Sequence, residues 1–495
     1  MKPIRNVIVV GGGTSGWMAA AVLSKSLASH NISVTVVESS EIGTVGVGEA
    51  TIPPIVQLNA SLGLDEDEVV RRTKATYKLG IEFVNWGALG DRYVHPFGDI
   101  GHDLAGVPFY HHWLRTREGA LSDYALTTVA AYAGKFGRPS DYPGQVLSKM
   151  VYALHFDAAL YAGVLRDVAF KYGAKHIDAR ITGVNLDAET GFVETLQLSD
   201  GRSLVGDLFI DCSGFRGLLI EDALRTGYID WSHWLPMNRA LAVPSEITGP
   251  TQPYTRSTAG RAGWRWRIPL QHRIGNGHVY CSDFTSDEEA HADLMDNLDG
   301  PALATPRPLR FTTGRRRLSW NKNVVALGLA SGFIEPLEST SIHLAQRGIA
   351  ILASLFPSRG ILQAEVDLYN RRMTGEYESV RDFVILHYKQ TQRDDTPFWR
   401  YVRDMSIPQT LADRMAIFAN MGRLLPDPGD LFKVESWSSV LLGQGLWPKG
   451  YDPQADIIPE AEVRKALRTM KDIIQSGVNA LPGHDEFLSR RGAGS

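Results

Sequence analysis

The chain is poor in several features that would place it in familiar classes. Cysteine occurs only at Cys212 and Cys281, too few for a disulfide framework or a cysteine-rich zinc site. No uncharged apolar run reaches the length of a membrane span. Neither charge is in excess. With 51 Lys and Arg against 55 Asp and Glu, the formal net charge is −4, which argues against nucleic acid or an anionic membrane as main partner. The one basic run, Arg315-Arg316-Arg317, adjoins Leu318 and Trp320 and reads as a solvated strand edge. Internal repeats are missing, and the only biased segment is a small polar tail, Arg490 to Ser495. The first strand begins so early that the reading leaves no room for a signal peptide, so a reducing cytoplasm is expected. What is there, 44% hydrophobic and 21% charged over 495 residues, suits a globular chain with ample core.

The most informative stretch is Val7-Ile8-Val9-Val10-Gly11-Gly12-Gly13-Thr14-Ser15-Gly16. Four β-branched residues predict a buried strand, and Gly11, Gly13 and Gly16 follow at G-x-G-x-x-G spacing before an alanine-rich helix over Met18 to Leu27. Such glycines allow a tight turn, close backbone approach to a pyrophosphate and close helix packing, with the helix N-terminus facing the phosphates. Ser33 to Glu38 reads as the next strand, and Glu38, 22 residues after Gly16, is placed to hold a ribose hydroxyl. A dinucleotide is expected here.

Further along, Gly43 to Pro54 carries glycines and two prolines and reads as a shaped loop near the ligand. Leu64 to Tyr77 looks helical, with an acidic first turn, and Lys78 to Trp86 alternates like a strand. Spacing alone makes Lys78 a surface lysine. Pro96 and Gly98 make a turn presenting His95 and Phe97, while His111-His112 lacks metal-ligand spacing and reads as structural. Asp157 caps a helix from Ala158 to Tyr172 with Leu160, Val164, Leu165 and Val168 on one face. Strands at Ala179–Leu186, Val193–Leu198 and Leu204–Ile210 form a meander that ends in the reversal Asp211-Cys212-Ser213-Gly214. Trp231 to Phe311 is strand-like. Within it Trp264 and Trp266 share a strand face, as core residues or as a pocket wall. Asn323 to Ala330 repeats the strand-then-glycine logic at Leu327-Gly328, and a helix His343–Phe356 follows with its positive end toward Glu338-Ser339-Thr340-Ser341. Helices are expected at Glu365–Gln390, Gln409–Leu424 and Pro459–Gln475.

These motifs together resemble the flavin-dependent halogenases of the tryptophan-halogenase branch, over roughly residues 5 to 350 and more loosely beyond. The resemblance is carried by Gly11 to Trp17, Gly46 to Pro53, Lys78-Leu79-Gly80, Trp264-x-Trp266-x-Ile268-Pro269 and Pro336 to Thr340. It implies a mixed α/β fold, the Rossmann-like FAD-binding domain of the aromatic hydroxylase superfamily. That domain would occupy residues 1–360, discontinuously, with an inserted sheet at about 225–312 and a helical region 361–495 capping the substrate site. It implies FADH2 delivered by a separate NAD(P)H-dependent reductase, dioxygen, a flavin C4a-hydroperoxide, and a halide (bromide or chloride) that becomes hypohalous acid. Lys78 would be the tunnel lysine that hydrogen-bonds the acid or becomes a haloamine. Glu338 would polarise that electrophile or accept the ring proton. Flavin contacts are implied at Gly11, Gly13, Thr14, Ser15, Gly16, Glu38, Gly48, Glu49, Ala50, Leu327 and Gly328. Thr340 and Ser341 would hold the halide, and Trp264, Trp266 and Ser339 would screen the tunnel. Pro53, His95, Phe97 and Trp447 would line the pocket of a small, indole-type arene.

Two departures stand out. Ser341 replaces the glycine usual after Glu-Ser-Thr, and a serine there is expected to strain the halide nest and favour bromide over chloride. The adjacent tyrosines that grip an amino-acid backbone are missing, Tyr451 being the only tyrosine after Tyr401, so indole is expected to outdo free tryptophan. A flavin-dependent aromatic monooxygenase and a non-catalytic flavin redox sensor are the rival readings. Neither a membrane nor a nucleic-acid partner is expected. Oligomeric state is not legible, a homodimer being one form open to it.

Overall fold

The computed structural model describes residues 3–41, 48–427 and 429–492, so Gly43 to Val47 of the expected loop lie outside the described residues. Strand Asn6–Val10 lies inside a six-stranded sheet. It pairs in parallel with Ser33–Glu38 on one side and Leu208–Asp211 on the other. Lys175–Asp178 and Val324–Ala326 extend the sheet in parallel, and Trp320–Asn321 closes one edge antiparallel. The Val7 to Val10 run is apolar throughout because both faces are covered. Val7 and Val9 face the main core, while Ile8 and Val10 pack with Val193, Leu196 and Phe209 under the meander Ile181–Leu186, Val193–Leu198 and Ser203–Val205. Helix Thr14–Ser26 packs against Ala158–Lys171 and Ser341–Ser354. The parallel strands bring Val10, Glu38, Asp211 and Ala326 to one edge, where an α/β sheet binds its ligands.

A seven-stranded sheet stands beside it, in the order Arg307–Arg310, Arg239–Ser245, Ile274–Tyr280, Gly263–Pro269, Thr255–Ala259, Gly80–Val84, Arg92–Pro96. A small sheet of Gly48–Ala50, Ala153–Asp157 and Thr76–Lys78 links the two regions. Helix Gln363–Lys389, 27 residues long, and the helices after it join the same hydrophobic core, which runs from Ile4 through Val384, Trp399 and Trp437 to Leu488. Among the described residues no helix is long and apolar enough to cross a membrane.

Several expectations are corrected. The helix expected over Leu64 to Tyr77 is only Glu66–Arg72, capped where the Asp65 side chain accepts from the Glu68 amide. Lys74, at φ 51°, turns the chain into strand Thr76–Lys78, whose partner is Ala153–Asp157. The single strand expected from Lys78 to Trp86 is two strands in two sheets that meet at Leu79, and His95 belongs to strand Arg92–Pro96 rather than to a turn. Leu204–Ile210 likewise divides between the meander and the six-stranded sheet. The strand-like block from Trp231 to Phe311 contains a helix, Asp287–Asp296, signalled by the Ser286/Glu289 capping box. In helix Ala158–Lys171, Leu160 is exposed and Tyr161 takes its place on the buried face. Helices at Phe109–Thr116, Pro397–Asp404 and Val434–Gly443 were not expected. The basic run is no solvated edge: Arg315 and Arg316 are buried, paired with Glu378 at 2.9 Å and Glu221 at 2.6 Å.

Candidate active site

The first part of the site is the glycine turn at the sheet's carboxyl edge. Gly11 has φ +105°, and a side chain there would overlap the Cys212 carbonyl; one at Gly16 would overlap Gly11 itself. Gly13 is open, with nothing near where a side chain would stand, and no side chain caps helix Thr14–Ser26. An open face in front of uncapped amide donors fits a pyrophosphate. Ser15 touches Gly328, whose φ of +59° lets the Leu327-Gly328 turn press onto the helix start. The Thr14 hydroxyl donates to the Ala158 carbonyl at 3.3 Å, tying the helix start to helix Ala158–Lys171. Glu38 leans over Gly12 and meets His176 Nε2 at 3.0 Å, so its carboxylate is held near the turn, as a ribose partner requires. Asp211 opens the expected chain reversal, but its bracing role was not foreseen. It accepts from the Ser213 amide and hydroxyl and from the Leu219 and Ile220 amides, at 2.6 to 3.0 Å, and braces the loop beside the turn. Strand Gly48–Ala50 lies across the next sheet. Gly48 passes close to Gly275, and desolvation pushes the partly buried Glu49 carboxyl up to about 7.

The second part is buried. Lys78, read from spacing as a surface residue, is wholly enclosed because the chain changes sheets directly after it. Gly80 permits that crossing, since a Cβ there would stand 2.6 Å from the His95 carbonyl. Lys78 Nζ donates to the Thr51 carbonyl at 3.0 Å and to Ser339 Oγ at 2.9 Å, and it lies 5.1 Å from the Phe97 ring centre. Desolvation brings its ammonium down to about 7, against the opposing pull of Glu338. Glu338 Oε2 is 2.8 Å from His95 Nδ1, and Oε1 is 2.9 Å from His387 Nε2. Burial alone would raise this carboxyl, but His95 and His387 outweigh it and hold Glu338 down at about 2. His387 was not expected. Its only sequence signal is a polar pair, His387-Tyr388, closing the apolar run Phe383 to Leu386.

Glu335, in the same loop, is also fully buried. Its Oε2 accepts from Trp264 Nε1 at 2.9 Å and Tyr388 OH at 2.8 Å, and desolvation pushes it up to about 7. Trp264 and Trp266 sit 6.1 Å apart, the second packed on Ala50, Ile268 and Leu270, so the pair spans from strand Gly48–Ala50 to the Glu335 loop. Pro53 opens helix Pro54–Leu62. Thr340 precedes helix Ser341–Ser354, with its hydroxyl buried and unpartnered among the described residues. Ser341 is the first residue of that helix and has no left-handed backbone; Ser339 does, at φ 59°. The strain expected at Ser341 is therefore not there. Trp447 is half exposed, stacked on Trp113 at 5.9 Å with Arg117 4.0 Å from its ring, apart from the buried set. Tyr451 OH is committed to Asp456 at 3.1 Å. His111 Nδ1 accepts from the Asp452 amide at 3.2 Å, and His112 Nε2 meets the Leu104 carbonyl at 3.1 Å while its Nδ1 is buried without a partner among the described residues.

Comparison with known proteins agrees with this geometry. The sequence matches the tryptophan halogenase family over residues 6–460. It is 33% identical to the tryptophan 7-halogenase RebH of Lentzea aerocolonigenes, covering 99% of each chain. It is 35% identical to the tryptophan 6-halogenase ThaL of Streptomyces albogriseolus, covering 98% of each. The fold superposes on Xcc4156, a flavin-dependent halogenase from Xanthomonas campestris, with a TM-score of 0.96 at 46% identity, covering 99% of each chain. For BrvH, a flavin-dependent halogenase from Brevundimonas sp. BAL3, the values are 0.95 and 46%, again over 99% of each. With a glycine turn at the sheet's carboxyl edge, a buried lysine and glutamate, and these matches over nearly the whole chain, the chain belongs to the tryptophan halogenase family of flavin-dependent halogenases.

Proposed function

We propose that the protein halogenates an indole-type arene with hypohalous acid, and that Lys78 and Glu338 are the residues that deliver it. When bound, reduced flavin and dioxygen supply the two-electron oxidation of halide to hypohalous acid. The reaction at the arene is then Ar–H plus HOX giving Ar–X plus water: a C–X bond forms, the O–X and C–H bonds break, and the ring proton leaves. The Lys78 ammonium donates a hydrogen bond to the oxygen of the acid, which makes that oxygen a better leaving group and holds X toward the ring. Glu338, ionised, opposes the positive charge that grows on the ring and accepts its proton. Thr340 and Ser341 offer the first amides of an uncapped helix to the halide. Trp264 and Trp266 separate the strand Gly48–Ala50 side from the arene side. Residues 361–495 cap the arene site, and a separate NAD(P)H-dependent reductase supplies the reduced cofactor. The observation that carries the reading is the buried Lys78 ammonium, hydrogen-bonded to Ser339, the residue next to Glu338.

The test is product analysis by mass spectrometry with indole, FAD, NADH, a generic flavin reductase and bromide or chloride. Halogenated indole that disappears when halide is withheld supports the reading. Hydroxylated indole formed without halide overturns it in favour of a monooxygenase, and no product with no oxygen uptake favours a sensor.

A further inference from the structure

We propose that Glu338 and His387 hold one proton between them, carried on His387 Nε2, and that His387 is a positioning residue keeping Glu338 ionised. The proposal rests on the reading of Glu338 above and deepens it. His387 lies in the last turn of helix Gln363–Lys389 and is fully buried. Its Nδ1 is 2.8 Å from the Phe383 carbonyl oxygen, one helical turn back. A carbonyl oxygen only accepts, so Nδ1 carries a hydrogen. In a neutral ring that leaves Nε2 with a lone pair, 2.9 Å from an oxygen of Glu338 that is also an acceptor. Two lone pairs in a dry interior repel, so the contact needs a proton.

The other side of Glu338 needs none. Oε2 meets His95 Nδ1 at 2.8 Å, which a neutral His95 satisfies with its single hydrogen. Nε2 of His387 and Oε1 of Glu338 meet at ion-pair distance without hydrogen-bond alignment. At that distance the attraction between opposite charges does not depend on alignment, whereas a neutral hydrogen bond does. Phe83 at 4.8 Å, Phe383 at 5.2 Å and Trp86 at 6.0 Å enclose His387, so Glu338 rather than water must balance its charge. The other titratable groups turned toward the pair are Lys78 and His95, from strands Thr76–Lys78 and Arg92–Pro96, and Tyr93 of the second strand. Lys78, lowered to about 7, is mostly neutral at pH 8, so the charge that balances Glu338 there falls to His387.

The test is nitrogen NMR of the apoprotein labelled at histidine, at about pH 8, where an unperturbed histidine is neutral. The expected spectrum contains one ring with both nitrogens protonated. That signal should vanish in His387→Asn and become a neutral ring protonated at Nδ1 in Glu338→Gln. A neutral residue 387 in the wild type, in either tautomer, would overturn the proposal. So would an imidazolium that survives unchanged in Glu338→Gln. Because Glu338→Gln nearly preserves shape, it decides the matter even where His387→Asn fails to fold. Halogenation is read separately: His387→Asn should lower kcat by about tenfold and leave the KM for indole within about twofold. An unaltered rate in Glu338→Gln would refute the assigned role of Glu338 while leaving the NMR result standing.

Discussion

Glu335 and Glu338 lie three residues apart in one loop and are both buried, yet they differ in charge at neutral pH. Glu335 faces two neutral donors, Trp264 and Tyr388, on one oxygen, and is pushed up to about 7. Glu338 faces two imidazoles and is held at about 2. Burial is common to both, so the partners decide: the two neutral donors on one oxygen of Glu335 do not replace the water its carboxylate loses, whereas the imidazoles on both oxygens of Glu338 do. The two sets of partners come in part from adjacent residues of one helix, His387 and Tyr388, which point in different directions because consecutive helical residues are rotated by about 100°. One helix thereby holds one glutamate as an anion and lets its neighbour gain a proton.

The comparison can be broken most severely at Lys78. Lys78→Ala removes the cation proposed to deliver the oxidant and is expected to cut halogenated indole below a tenth of wild type, with FAD binding by fluorescence unaltered. Retention of more than that would remove Lys78 from the mechanism. Glu338→Gln follows, with product formation expected to fall roughly 100-fold, the scale of losing one acid–base group. Glu335→Gln keeps a neutral group of the same size and should cost no more than about threefold, and a drop as large as that of Glu338→Gln would erase the distinction drawn above.

Stability sharpens the same contrast, because the signs differ. Glu335 binds its proton more tightly when folded, so its contribution is present below about pH 4.5 and is lost as pH rises through 7. Glu338 binds its proton less tightly, so its contribution is present above about pH 4.5 and is lost as pH falls toward 2. Each full titration is worth on the order of 3 kcal/mol. Buried histidines such as His111, His343 and His484, whose pKa values are lowered to about 4 by desolvation, pull the other way, so thermal unfolding between pH 4.5 and 7 should show a slope of stability against pH that is more positive in Glu335→Gln than in the wild type. An identical slope in both would mean that Glu335 does not titrate there.

Smaller effects concern substrate and halide. Indole should have a higher kcat/KM than free tryptophan, because Tyr451 is occupied by Asp456 and a zwitterion would lose water without partners for its charges. A preference for tryptophan would show that another segment supplies a clamp. Ser341→Gly is expected to move the bromide-to-chloride product ratio by less than about twofold, since Ser341 already has helical backbone. A large shift would return the halide preference to that residue.

Much of the first half of the site was legible without coordinates. The G-x-G-x-x-G turn, strand Ser33–Glu38 and the Asp157 cap depend on local backbone chemistry: glycine at φ above zero, β-branched runs, a carboxylate over helix amides. The pattern also identified the family, and with it Lys78 and Glu338 as residues of interest. Their surroundings were not legible, because they are built from segments remote in sequence. Lys78 is buried because the chain changes sheets at Leu79, and Glu338 is charged because His95 and His387 arrive from 243 and 49 residues away. Arg315 and Arg316 read as solvated for the same reason, their carboxylate partners being Glu378 and Glu221. Sequence alone determined where the backbone turns and which chemistry is available. Tertiary structure decided which groups lose water and what replaces it, because desolvation and ion pairing depend on neighbours in space, which local pattern does not encode.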